Sequence, residues 1–328
     1  MNVPTAKWSA NTFRGKYSGC HTLAVFDAFF SSYDASDLVT FEGLTGIPFG
    51  VATLPQDPDR LIVPRLDPDL GIDIALKLLG LNVKTYFVPR GCAHTDAVSI
   101  LARNLTNGPV LLGPLDMGGL DYLINHRLYA GCDHYVVALA LDEEGLWVRD
   151  GEGVDLALID LQQFLGAWQA SHLREGRGSY TQRQVQPQPF PGVGPRVIHG
   201  ALVRAAELIA DCAASGPQVY RDLAAHESNL LNWPAARRSL GYLLSSRAQR
   251  SLAASVLVED CRRWYVASTA LDSVHRLYKE QAEIIAGVVG GVIENVGGCL
   301  QPLNAVAEIE IAIAKAFAQS EVANVVRI

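Results

Sequence analysis

The sequence predicts an α+β fold followed by an all-helical domain, and three observations carry that expectation. Up to about residue 185, helical and strand-like segments alternate. The stretch QPQPFPGVGP, residues 186–195, then holds four prolines and two glycines in ten residues, a composition that suits neither a helix interior nor a central strand. Beyond it strand signals almost vanish. The expected division is a first domain over 1–185, a Pro-rich linker over 186–195 and a helical domain over 196–328. A chain of 328 residues is long enough for two domains.

Leu23 to Phe30 is apolar nearly all round, the mark of a helix buried in a core. Asp69 can cap a helix running to Leu79, with Gly80 as its stop. Val83 to Val88 reads as a strand, and Thr95 or Asp96 can cap a helix ending near Asn104. Pro109–Leu112, Tyr135–Leu141 and Leu146–Arg149 read as strands, the last two joined by the turn Asp142-Glu143-Glu144-Gly145 into a hairpin. Asp160 to Ala170 is expected to be helical. Helices first and an antiparallel sheet after them make the α+β arrangement.

After the linker, 197–214, 234–244, 249–272 and 302–319 carry helical periodicity, with Pro234 suited to a first turn. About five helices are expected. Glycines 287, 290, 291, 297 and 298 punctuate an apolar helix and would let another backbone come close. A homodimer interface and packing inside one subunit account for them equally well.

Charge narrows the function. A net charge of −7 and a pI near 5.6 give no basic stripe for nucleic acid and no attraction to an anionic membrane. The apolar run from Ile284 to Ile293 is ten residues, against about 20 for a membrane-spanning helix. The polar N-terminal segment lacks the apolar core of a signal peptide, so the cytoplasm is the expected location. The six cysteines (Cys20, Cys92, Cys132, Cys212, Cys261 and Cys299) are scattered without a CxxC pair and are expected to be reduced thiols. No zinc-ligand spacing, GxGxxG or GxxxxGK[ST] loop occurs, so neither metal nor nucleotide cofactor is expected.

Three residues stand in a pattern that suits nucleophilic catalysis. Cys20, in YSGCH, sits at the entry to the buried helix, where the positive end of the helix dipole favours a thiolate. His134, in GCDHY, heads a strand and could take the thiol proton and return it to a leaving group. Asp150 closes the adjoining hairpin strand and could fix the imidazole tautomer, with Asp155 and Asp142 as lesser candidates. For each the bland alternative stands beside it: a buried structural cysteine, a hydrogen-bonded core histidine, a turn aspartate before glycine. Cys132 reads as small packing, and His21 as pointing away along the helix. Asp116, Asp121 and Tyr122, in the loop before His134, are candidate cleft-lining residues.

The Cys–His–Asp order, together with PVLLGPLD and GCDHYVVALALDEEGLWVRD, resembles the papain-like superfamily. Within it the chain is similar to bacteriocin-processing double-glycine peptidases, and more so to the butirosin biosynthesis protein H family of acyltransferases. The resemblance covers about residues 15–170 by motif; the helical tail is similar only in texture. It implies a papain-like cysteine-protease fold and acyl transfer from an acyl-carrier protein, or another acyl thioester donor, to a small-molecule amine in antibiotic biosynthesis. Cys20 would be acylated, His134 would be the acid/base and Asp150 its orienter. Papain-like enzymes usually carry a Gln shortly before the nucleophile as oxyanion donor, and none precedes Cys20; its backbone N–H with Ser18, Tyr17 or Asn11 would have to substitute. Arg237, Arg238, Arg247, Arg250, Arg262 and Arg263 could meet an acidic carrier, or simply be solvated helix-surface residues. The alternatives are a peptidase, amidohydrolase or thioesterase on the same scaffold, and a non-catalytic scaffold whose triad has decayed.

Overall fold

The computed structural model describes residues 19–52, 62–89, 96–151, 154–171, 173, 177–232, 234–264 and 269–320. In chain order they form α1 (Cys20–Phe29), α2 (Ala35–Leu44), β1 (Val51–Ala52), β2 (Val63–Pro64), α3 (Pro68–Leu78), β3 (Lys84–Val88) and α4 (Ala97–Leu105). Next come β4 (Val110–Asp116), two 3₁₀ turns (Met117–Gly119 and His126–Tyr129), β5 (Asp133–Leu141), β6 (Leu146–Asp150), β7 (Val154–Ile159), α5 (Leu161–Gln169) and β8 (Ser179–Gln184). Helices complete the chain: α6 (Pro195–Cys212), α7 (Gly216–Ala225), α8 (Glu227–Leu231), α9 (Pro234–Trp264), α10 (Thr269–Glu294) and α11 (Leu303–Gln319). The protein is α+β, with an antiparallel six-stranded sheet and no strand after β8 among the described residues.

The chain divides into two compact units, one of residues 1–38 and 80–191, the other of 39–79 and 192–328. Each is discontinuous: segment 39–79 lies in the unit that holds the C-terminal helices.

In the first unit the sheet has the order β3-β8-β4-β5-β6-β7. Alternate residues of its central strands (Val110 and Leu112, Val136 and Ala138, Leu146 and Val148) share one core with α4 and with Phe164 and Trp168 of α5. α1 packs against β4, β5 and β6 and is buried along its whole length, which is why it shows no polar stripe. Close approach is secured by Gly151 just past β6, where a Cβ would sit 2.5 Å from Leu23 Cβ.

Strand β8 reads SYTQRQ and carries no apolar alternation, yet every residue of it is buried between β3 and β4. Hydrogen bonds make that burial tolerable. Gln182 Nε2 donates to Ala97 O at 3.1 Å and its Oε1 accepts from Asn104 at 3.0 Å, Arg183 Nη1 donates to Gly113 O at 3.1 Å, and Gln184 donates to Asn104 O. Strand β8 and strand β7, the latter exposed at Asp155, Leu156 and Leu158, lie outside the strands read from the sequence.

In the second unit α9 and α10 are the long pair, and α11 packs on α7 and α10. Their core joins Tyr220, Leu240, Leu244, Ile285, Val292 and Val306 with Val51 and Ile62 from the early segment. Arg247 is no surface arginine: it donates to Pro48 O at 2.6 Å, Tyr220 Oη at 2.8 Å, Gln281 Oε1 at 3.0 Å and Glu310 Oε1 at 2.8 Å, all inside the core. A buried guanidinium is sustainable only with such pairing.

Local corrections follow from side-chain chemistry. Helix α3 is capped by Asp67, whose side chain accepts from Asp69 N at 2.8 Å, because Pro68 takes the first helical position; Asp69 lies inside the first turn. The segments read as separate helices at 234–244 and from 249 are one continuous α9; Ser245 and Ser246 weaken helix propensity but do not end it. Among the described residues, Gly291 of the five punctuating glycines meets a neighbour, Cys299 Cβ at 2.5 Å, whereas 287, 290, 297 and 298 meet none within 4 Å of a Cβ.

Candidate active site

Cys20 is the first residue of α1, and Gly19 occupies the cap position in extended conformation. The glycine is needed here because a Cβ at 19 would lie 2.5 Å from the His21 ring. His21 is buried, folded back over Gly19 and edge-on to Tyr135 with ring centroids 6.1 Å apart. It packs the helix entry.

His134 is the second residue of β5, paired with Leu115 of β4. The β4–β5 register shifts between Leu112 and Leu115, where Gly113 has φ +138°; a Cβ there would sit 2.5 Å from the Tyr135 ring and 2.8 Å from His134 O. The extra residue in β4 thus lies beside the strand start that carries the imidazole, a common use of a bulge. Asp150 ends β6 and pairs with Val154.

These three side chains form one group. His134 Nε2 lies 2.8 Å from Asp150 Oδ2, and both residues are fully buried. Cys20 is only 8% exposed and is the imidazole's other side-chain neighbour. With Nε2 committed to Asp150, Nδ1 is the nitrogen left to take the thiol proton. Nδ1 is buried without a hydrogen bond of ordinary distance and angle, so the sulfur approaches it more loosely than Asp150 approaches Nε2.

Electrostatics support the pairing. Burial disfavours the imidazolium and is the largest single influence on His134, yet the Asp150 carboxylate and Cys20 together outweigh it. The imidazole pKa is held well above its usual 6.5. The protonated imidazole is therefore the form favoured beside the Asp150 carboxylate.

A fourth residue joins the group. Tyr122 Oη donates to the same Asp150 Oδ2 at 2.7 Å. The other loop candidates do different things. Asp116 is buried and its Oδ1 accepts from Gly118 N and Gly131 N, each at 2.9 Å, clamping the two ends of the loop. His126 Nδ1 meets Gly118 O at 2.6 Å, and Gly118 lies against Ala130. Asp121 is exposed. Ser18, Tyr17 and Asn11, the candidate oxyanion donors, lie outside the described residues, as does Cys92. Asp142 serves its own turn, accepting from Glu144 N at 2.9 Å and from Trp147 Nε1 at 3.1 Å, while Asp155 is exposed on β7.

Sequence reasoning identified Tyr122 as cleft lining but missed its bond to Asp150, because a tyrosine 28 residues from its partner carries no spacing signal. The polar strand β8, whose Arg183 reaches Gly113 O beside the bulge, was equally silent.

Fold and geometry together define an α+β protein with a buried cysteine–histidine–aspartate group beneath a clamped loop. No protein-family model matches the chain. It is similar to the uncharacterized protein YobF of Bacillus subtilis (strain 168), with 33% identity over 168 residues, 51% of this chain and 53% of YobF. The chain therefore spans about half the length of the curated relative it matches. Among the described residues no helix is long and apolar enough to cross a membrane.

Proposed function

We propose that the protein is a papain-like, cysteine-dependent acyltransferase that moves an acyl group from a thioester, such as an acyl-carrier protein's, to an amine acceptor. The observation that carries this reading is the buried His134 Nε2–Asp150 Oδ2 contact of 2.8 Å beside Cys20 at a helix N-terminus.

In this reading the Cys20 proton passes to His134 Nδ1 and the thiolate adds to the thioester carbonyl. Collapse of the tetrahedral intermediate breaks the donor C–S bond, and the departing thiolate takes the proton back from His134. The acyl group is then held as a Cys20 thioester. An acceptor amine adds to it and gives a proton to His134, which returns it to the Cys20 sulfur as the amide is released. Asp150 stays ionised and stabilises the imidazolium in both halves. The Cys20 backbone N–H, at the start of α1, is the donor available to the oxyanion.

Hydrolysis, as in a peptidase or thioesterase, is the same chemistry with water as acceptor. Intact-mass measurement after incubation with a panel of acyl-N-acetylcysteamine thioesters tests the reading. The chain should gain one acyl mass, lost in Cys20→Ala and discharged by added amine. No gain across the panel overturns acyl transfer, and discharge indifferent to amine selects the hydrolase.

A further inference from the structure

We propose that Tyr122 is a positioning residue of this site: its phenol shares one oxygen of Asp150 with His134 and thereby sets how strongly the carboxylate holds the imidazole. The inference rests on the reading of Cys20, His134 and Asp150 as a catalytic group, and it gives the loop before β5 a part in that chemistry.

Two donors converge on a single acceptor. His134 Nε2 is 2.8 Å and Tyr122 Oη 2.7 Å from Asp150 Oδ2. Each hydrogen bond to a carboxylate oxygen disperses part of its charge, so a second donor lowers the charge that the first one feels. The phenol is a permanent donor. Burial above all, then the charges of Asp150, Asp121 and Cys20, hold it protonated far above the ordinary range for tyrosine. These groups come from β6, from Tyr122's own loop and from α1. The remaining ionisable neighbour on α1, His21, is turned onto Gly19 and Tyr135.

The phenol's place is fixed independently of Asp150. The Tyr122 ring packs against the sheet core, and its loop is clamped at both ends through Asp116 Oδ1. A donor so held does not follow the carboxylate but constrains it, which is how a supporting residue sets the geometry of a reactive one. The purpose follows from the two half-reactions. An imidazolium gripped too tightly by Asp150 is a poor acid for the departing thiolate, and one gripped too loosely is a poor base for the Cys20 thiol. Sharing the oxygen sets the balance between them.

The test is an NMR titration of His134 in full-length protein labelled in the histidine ring, with the resonance assigned by its loss in His134→Gln. Tyr122→Phe keeps the ring and deletes the donor. Its His134 midpoint should rise by about 0.5–1 pH unit, with a cooperative thermal transition retained. Should Tyr122→Phe fail to fold, 3-fluorotyrosine at 122, a stronger donor of nearly the same size, should move the midpoint down. A midpoint that does not move in the folded variant overturns the inference. Iodoacetamide alkylation of Cys20, compared between wild type and His134→Gln, checks the underlying reading separately. If the rate is indifferent to His134→Gln, acyl transfer at Cys20 falls, while the NMR midpoint still decides what Tyr122 does to the imidazole.

Discussion

His134 is the residue on which the ionisation of the site turns, and its environment makes a statement about pH. Its folded pKa lies well above its unfolded value of about 6.5. A group raised in the folded state adds stability that is fully present below the unfolded value and is lost as pH rises through the folded one. Thermal stability should therefore decline from near pH 6.5 into the alkaline range. Asp150→Asn, which removes the carboxylate and leaves the amide in its place, should flatten that decline when melting temperature is followed across pH. An equally steep decline in the variant would show that another group is titrating. The grouping of Cys20, His134 and Asp150 was legible because each stands at an element end: the start of α1, the head of β5 and the close of β6. The sequence was silent on Tyr122, whose role depends on a loop path that no periodicity encodes.

Among the elements, α10 separates two meanings of glycine that look alike in the sequence. Gly290 has open space where a Cβ would go, whereas at Gly291 the same atom would lie 2.5 Å from Cys299 Cβ. Gly290→Ala should stabilise the protein by about 0.5–1 kcal/mol through helix propensity and a less disordered unfolded chain. Gly291→Ala should destabilise it by about 1–3 kcal/mol through overpacking. Denaturant midpoints of the two variants would show opposite signs, and equal effects would refute the distinction. The strands teach a similar lesson. β5 and β6 were legible because apolar residues and the Asp142–Gly145 turn mark them; β8 was not, because apart from Tyr180 its burial is sustained by Gln182, Arg183 and Gln184 hydrogen bonds. Hydropathy reads the cost of burial and cannot see the partners that offset it.

For the molecule as a whole, the sequence-based boundary at 185/186 lies close to the last crossing of the chain between units, at 191/192, and the earlier excursion over 39–79 left no compositional trace. That excursion is built into the helical unit. Pro48 O accepts from Arg247, Phe49 lies edge-on to Tyr278 with centroids 5.9 Å apart, and Gly43 and Gly50 admit Leu257 and Cys212. A chain cut to residues 1–185 would leave Phe49 without Tyr278 and Pro48 O without Arg247. It should aggregate or melt without cooperativity in size-exclusion and circular-dichroism measurements. A monomeric fragment with a sharp transition would contradict this.

The place of β8 in the sheet bears on how the chain is born. Among the described residues it is the last strand to leave the ribosome, yet it lies between β3 and β4, so the sheet cannot zip up in order of synthesis. Until residue 184 emerges, both sides of β3 and one side of β4 are left as naked edges, the kind of surface on which nascent chains stick to one another. A strand of Ser, Tyr, Thr, Gln and Arg is a largely polar keystone for that gap: Tyr180 joins the core, and the side-chain amides and guanidinium lock the strand once it arrives.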